Sequence, residues 1–286
     1  MDHRLSEEHE ALRVSVETFA RDVVAPQAEQ SDRTGEFPYG VIRQMGDMGL
    51  FGLPFPEEYG GMGGDFLALC LAIEELARAD SSVAITLEAA VGLGSMPVYR
   101  FGTDEQRKEW LPSLCSGKAL AAFGLTEPGG GSDAGNPRTR AVLDGDEWVI
   151  NGTKAFITNS GTDITNLVTV LCRTGERADG KPELTSIMVP VPREGFTPSK
   201  KYDKVGWHAS DTRELSFKDC RVPESHVLGE RGRGYAQFLS TLDEGRIAIS
   251  ALAVGLAQAC VEESVRYARE REAFGAPIGT YQAVAF

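Results

Sequence analysis

The hydrophobic period of this 286-residue chain changes twice, so the chain cannot fold as a single layer type. From Ser6 to about Gly117 apolar residues recur at helical spacing: Leu12, Val16, Phe19 and Val23 in one stretch, Leu67, Leu71 and Glu74 to Leu76 in another. Ser6 is placed to cap the first helix, and the Pro- and Gly-rich run from Leu53 to Gly61 separates the helices. From about Lys118 to Val222 the period shortens. Trp148-Val149-Ile150, Leu167 to Cys172, Leu184 to Val191 and Leu215 to Val222 are β-prone runs between turn clusters. After Gly234 the helical period returns and runs to about Glu272, with Leu239, Leu242, Arg246, Ile249, Ala253 and Leu256 along one face. The expected architecture is α+β and multidomain: an all-helical domain over 1–117, an antiparallel β-barrel over 118–230, and the start of a helical-bundle domain over 231–286.

This length permits two or three units, each with its own apolar core. The 42% hydrophobic and 25% charged fractions are those of a soluble globular protein and argue against long disorder. A formal charge of -13 disfavours nucleic acid or an anionic membrane as partner, so an anionic ligand would be held by local cations and backbone amides. Cys70, Cys115, Cys172, Cys220 and Cys260 show no C-x-x-C pair or ligand spacing, which points to reduced structural thiols and no metal site. The segment Met1 to Glu8 has neither an apolar signal core nor an Arg-rich presequence, and cytoplasmic residence is the default expectation. The apolar stretch Ile247 to Val261 is shorter than a bilayer-spanning helix and reads as a buried one.

Four segments carry candidate chemistry. From Phe123 to Ala134 a β-prone run empties into a glycine-rich turn. Gly129, Gly131 and Ala134 satisfy G-x-G-x-x-A, but a dinucleotide fingerprint needs a helix next, and Asn136-Pro137 followed by β-prone residues denies one. No Gly-Lys-Ser/Thr closes a P-loop either. There remain exposed amides and two hydroxyls, Thr126 and Ser132, suited to a flavin's polar edge or a phosphate; an ordinary Gly-rich turn also explains the segment. From Trp148 to Ser160, alternation puts Phe156 and Thr158 on one face, an aromatic plate beside a hydroxyl. That pair suits an isoalloxazine ring, and plain sheet core would use the same residues. Asn151-Gly152 predicts a type I′ hairpin turn. Leu242-Asp243-Glu244-Gly245-Arg246 sets a guanidinium beside two carboxylates on a helix, able to pair locally or to reach a CoA phosphate or pantetheine carbonyl. Arg269 to Gly275, with Gln282, gathers cations at a helix C-terminus, where the dipole alone favours them.

Taken in order, these segments resemble the acyl-CoA dehydrogenase family along the whole chain. Phe123 to Ser132 is similar to its flavin loop, and Asn151-Gly152-Thr153-Lys154 to Asn159 to its second flavin strand. Asp211-Thr212-Arg213 with Phe217 to Pro223 resembles its domain-exit strand; Asp243 to Arg246 and Arg271 to Gln282 resemble helices of its last domain. Leu242 to Ile247 and Ala273 to Pro277 look most like the short-chain and branched short-chain members. The resemblance implies a helical domain, a β-barrel and a second helical domain, with FAD between the last two and an acyl thioester beneath the flavin. It implies FAD contacts from Phe123, Leu125, Thr126 and Ser132, with Phe156, Ile157 and Thr158 on the ring. Ser132 would also meet the CoA moiety, and Asp243 and Arg246 would face the acyl-CoA substrate. Arg271, Phe274 and Gln282 would hold the FAD tail, usually that of the neighbouring subunit in a homodimer or homotetramer. The implied reaction removes an α-proton with a glutamate and passes hydride from the β-carbon to flavin. The product is a trans-2-enoyl thioester, and the electrons go to an electron-transferring flavoprotein.

The chain departs from that pattern in places. In most of the family the base lies late in the final domain, so it is expected beyond Phe286. In a minority a glutamate directly precedes the helix arginine. Here that slot is Gly245, and Glu244 points about 100° away around the helix. No catalytic base is therefore expected within the chain, Glu244 being the one stand-in. Phe156 stands where many members have tryptophan. Glu88 falls, one residue offset, in the region that closes the acyl pocket of relatives, or is simply solvated. Two other functions stay open: a flavin oxidase or monooxygenase on the same scaffold, and a non-catalytic CoA- or flavin-binding protein.

Overall fold

The structure, a computed structural model, describes residues 4–286. Ser6 caps α1 (Glu7–Phe19) by accepting from the His9 amide, with Glu7, Glu8 and Glu10 in the first turn matching the dipole. A π-helical turn, Ala20–Val24, carries the chain into α2 (Ala25–Thr34), which ends on Gly35 at φ 68. After α3 (Tyr39–Asp47) and the Pro/Gly run comes α4 (Phe66–Ala79), capped by Asp65. Asp80 caps α5 (Ser81–Glu88); a second π turn, Ala89–Ser95, leads into α6 (Met96–Phe101), and a Thr103/Gln106 capping box opens α7 (Asp104–Cys115). Val16, Met45, Leu69, Ile73, Leu76 and Leu87 lie fully inside the core these helices share.

The middle of the chain forms one curled sheet from β1 (Leu120–Gly124), β2 (Arg140–Asp144), β3 (Glu147–Thr158), β4 (Thr165–Glu176), β5 (Pro182–Pro190), β6 (Phe196–Pro198) and β7 (Thr212–Pro223). The order is β1-β4-β2-β3-β7-β6, with β5 also on β4. Pairing is antiparallel except at one edge, where β1 runs parallel to β4 and a single parallel bridge joins Arg140 to Arg173. Trp148, Ile150, Val168, Val170, Phe217 and Val222 fill the concave side.

Two local expectations fail for identifiable reasons. Asn151-Gly152 does not turn the chain; it lies inside the continuous strand β3. The Asn151 side chain and Asp219 exchange hydrogen bonds at a bulge on β7, and a Cβ on Gly152 would sit 2.5 Å from Thr139 Oγ1. The glycine is required by close approach of a neighbouring segment. The β2–β3 hairpin instead turns at Gly145-Asp146, with Gly145 at φ 67, so the Asp144-Gly145 pair was the true turn signal.

The second failure concerns α8 (Gly234–Glu270), which packs along α4 and α5. Its buried face carries Phe238, which packs on the sheet, then Thr241, Gly245, Ala248, Leu252 and Gly255, whereas Leu239, Arg246, Ile249, Ala253 and Leu256 are exposed and Leu242 is half-buried. A Cβ on Gly255 would lie 2.0 Å from the Glu74 carbonyl oxygen. The helices meet through small residues, which hydrophobic periodicity does not reveal, and the Ile247–Val261 stretch is largely uncovered. Beyond α8, the two-residue strands β8 (Glu272–Ala273) and β9 (Ala276–Pro277) precede α9 (Gln282–Ala285).

Candidate functional site

β1 carries Phe123 out of the sheet to stack on Phe238 of α8, centroids 4.0 Å apart, and Leu125 joins the same small apolar cluster with Leu171, Leu184 and Tyr235. The glycine-rich loop that follows is anchored from below. Glu127 is buried and accepts from the Arg138 amide (2.7 Å), the Thr139 amide (3.0 Å) and Lys154 Nζ (2.9 Å); Lys154 Nζ also donates to the Leu125 carbonyl (3.1 Å). One carboxylate thus ties both ends of the loop to β3. Burial pushes the Glu127 carboxyl up, but Lys154 and the two amides more than offset it and hold it below the usual carboxylate range. Burial likewise pulls the Lys154 ammonium down.

The loop and β3 are adjacent, since the Ala155 amide donates to the Thr126 carbonyl at 2.8 Å. One residue later Phe156 sits at φ 60, at a bulge where β3 shifts register on β7. A bulky residue in the left-handed region signals a constrained site. Phe156 is 66% exposed and stacks on Tyr202 at 5.0 Å. Thr158, on the same side, is half-buried. Ile157 is the exception among the proposed ring contacts: it is 2% exposed and its side chain belongs to the sheet core. Among the described residues, the hydroxyls of Thr126, Ser132 and Thr158 make no hydrogen bond within the chain. Loop and strand therefore offer three free hydroxyls, and the strand an exposed aromatic plate.

The other residues singled out in the sequence lie elsewhere along α8. At 1.5 Å per residue, Arg246 is about 12 Å beyond Phe238 and the helix end about 48 Å beyond it. Asp243 and Arg246 are exposed and ion-paired with each other. Glu244 pairs with Arg100 of α6, leaving its other carboxyl oxygen buried without a partner. Gly245 faces inward, where an added Cβ would meet Leu93 Cδ2 at 3.1 Å and Glu88 Oε1 at 3.4 Å, so no open slot for a larger side chain exists there. Arg271, Phe274 and Gln282 gather around the β8–β9 turn, with Phe274 98% exposed, and a single chain does not bring them to the glycine-rich loop.

Sequence reasoning missed three participants. Glu127 and Lys154 form the buried pair beneath the loop, and Phe238 supplies the stacking partner from α8. Glu88 was open to a solvated reading, yet it is 1% exposed and both carboxyl oxygens lack a partner. The Cys260 thiol is exposed, whereas the other four are buried. No group of three or more His, Cys, Asp or Glu able to hold a metal occurs among the described residues.

Residues 6–118, 122–220 and 232–286 match the N-terminal, middle and C-terminal domains of acyl-CoA dehydrogenase. A probable acyl-CoA dehydrogenase of Bacillus subtilis is 48% identical over 286 residues, covering 100% of this chain and 75% of its own. The mitochondrial short-chain specific acyl-CoA dehydrogenase of Mus musculus is 40% identical over 282 residues, covering 99% and 68%. The solved butyryl-CoA dehydrogenase of Megasphaera elsdenii superposes with a TM-score of 0.95 at 38% identity, covering 100% of this chain and 75% of that one.

Proposed function

This chain belongs to the acyl-CoA dehydrogenase family, whose members use FAD, and on that premise we propose that it takes part in dehydrogenation of a short or branched short-chain acyl-CoA to the trans-2-enoyl-CoA. One observation carries the reading: the hydroxyls of Thr126, on the loop, and Thr158, on the adjacent strand, are unpaired beside exposed Phe156, and the loop also carries the unpaired hydroxyl of Ser132. Hydrogen-bonding groups of this kind and an aromatic face fit the polar edge and plane of a flavin, and nothing else among the described residues uses them.

In this reading, Thr126 and Thr158 orient the ring through its polar edge. The Phe123–Phe238 stack joins the sheet to α8 and keeps water from that side. Ser132, at the exposed loop tip, meets the CoA moiety, and Arg246, on the outer face of α8, is available to it. FAD supplies the hydride acceptor. Proton abstraction from the α-carbon is assigned to none of these residues: position 245 is glycine, and Glu244 is engaged by Arg100. Arg271, Phe274 and Gln282 reach an FAD tail only in a second copy of the chain, since they lie about 48 Å from the loop cluster along α8. The exposed apolar residues Ile247, Val254, Val261 and Val265 on α8 support a homodimer or homotetramer. Electrons pass onward to an electron-transferring flavoprotein.

The test is purification followed by absorbance spectroscopy and anaerobic titration with butyryl-CoA. Bound flavin whose spectrum shifts on adding the thioester supports the reading. Colourless protein that takes up no added FAD refutes it, and peroxide released in air without another acceptor points to an oxidase instead.

A further inference from the structure

Phe156 is held at a strained point of β3. The register of β3 on β7 slips between the Lys154–Leu215 and Ile157–Arg213 pairs, so Ala155 and Phe156 stand opposite Glu214 alone, and Phe156 takes up the extra residue at φ 60. A bulky residue keeps that conformation only where its surroundings impose it. Burial does not offset the strain, since Phe156 stays 66% exposed. Among the described residues one aromatic ring stacks on it: that of Tyr202, with centroids 5.0 Å and planes 29° apart. Tyr202 lies in the connection between β6 and β7, and this segment is fixed on both sides of it. The Tyr202 amide donates to the Thr212 carbonyl at 3.0 Å. Lys201 Nζ donates to the Gly35 carbonyl at the end of α2 and to the His208 carbonyl (2.7 Å), and Lys204 Nζ to the Ser210 carbonyl and Thr212 Oγ1, both at 2.8 Å. His208 pairs with Asp32 of α2 at 2.7 Å, and Trp207 Nε1 donates to Ser81 Oγ of α5 at 3.0 Å. The helical domain thus pins the segment in place. The Tyr202 hydroxyl makes no hydrogen bond among the described residues, so it is the ring that meets β3.

Resting on the flavin reading above, we propose that Tyr202 is a positioning residue: its ring fixes the plane of the Phe156 ring, and through it the seat of the isoalloxazine. Without a ring against it, an exposed Phe156 at a bulge is free to populate other rotamers, and flavin binding then has to order a plate that the folded chain otherwise supplies already ordered. The effect is carried by the ring face, so phenylalanine serves at position 202 and an aliphatic side chain of similar bulk does not. Loss of one stacked aromatic pair corresponds to about a two- to tenfold change in a binding constant.

The experiment measures, for the full chain, the FAD dissociation constant by quenching of flavin fluorescence and the visible circular dichroism of the bound flavin. Tyr202→Leu should weaken FAD binding about two- to tenfold and change the dichroism, and Tyr202→Phe should match the unsubstituted protein in both. Tyr202→Leu added to Phe156→Ala should cost nothing further, because the residue it acts through is gone. Tyr202→Met, unbranched and adaptable, takes the place of Tyr202→Leu if that variant does not fold. Equal affinity and spectrum in the aliphatic variant and the unsubstituted protein overturn the proposal. A loss of the same size in the Phe156→Ala background also overturns it, since the segment then acts without the plate, as does a loss in Tyr202→Phe as large as in Tyr202→Leu, which assigns the effect to the hydroxyl. An unsubstituted protein that takes up no FAD refutes the flavin reading and the proposal with it, a result distinct from equal binding by every variant.

Discussion

Replacing Lys154 by Met tests whether the buried pair beneath the loop holds the site together. The Lys154 side chain is fully buried, and the substitution removes both its hydrogen bond to Glu127 and its bond to the Leu125 carbonyl. Glu127 keeps the Arg138 and Thr139 amides but loses its only counter-charge in the interior. Breaking one side of a buried ion pair costs about 3–5 kcal/mol, a large part of a typical total stability of about 5–15 kcal/mol. For a chain of this size the melting temperature should fall by about 6–20 °C. The sign with pH follows from Glu127. Its folded value lies below the ordinary one, so it contributes stability above the ordinary carboxylate range and loses it as pH falls through the folded value. In Lys154→Met only the two amides still oppose burial, so the carboxyl shifts upward from its wild-type position and the variant loses less on acidification. The deficit should be full at neutral pH and shrink toward pH 5, and Glu127→Gln added to Lys154→Met should recover much of it. Thermal melts of the three proteins at both pH values, read beside flavin retention, provide the check. A loss under about 1 kcal/mol at neutral pH, or a deficit that grows on acidification, would refute the reasoning.

Glu88 predicts the opposite trend. Its folded value near 8 means that native protein holds a proton the unfolded chain has released, so stability declines as pH rises from the ordinary carboxylate value toward 8. Glu88→Gln should remove that decline and be the more stable protein by several kcal/mol at pH 8, on the order of 1.4 kcal/mol per pH unit; parallel denaturation curves in the two proteins would contradict this. Gly255→Ala should gain up to about 1 kcal/mol of helix propensity yet destabilise by about 2 kcal/mol net, because its Cβ would lie 2.0 Å from the Glu74 carbonyl oxygen and α4 and α8 must part. Urea unfolding measures the difference, and a stabilised variant would show that the two helices do not touch there. Of the five thiols only Cys260 is exposed, and burial pushes Cys115 and Cys172 up to about 12. A thiol reagent should therefore label one cysteine quickly in folded protein and all five in denaturant.

The helix–sheet–helix order, the cap at Ser6, the glycine-rich loop after β1 and the Phe156/Thr158 face of β3 are all set by short-range rules of period, cap and turn chemistry, so the sequence alone determined them. The family resemblance rested on those same local runs. What lay beyond the sequence depends on which segments meet. Asn151-Gly152 carries a turn's composition, but Thr139 and Asp219 press against it and make it a strand. Leu239, Ile249 and Leu256 form the apolar stripe of α8, while contact with the N-terminal helices runs along Gly245, Ala248 and Gly255, because close approach rewards missing side chains. Glu127 and Lys154 are 27 residues apart and Glu88 and Gly245 far more, so neither the buried pair nor the orphaned carboxyl exists until the fold brings their segments together. Burial then decides which of the chain's many charged groups keep their ordinary chemistry and which do not.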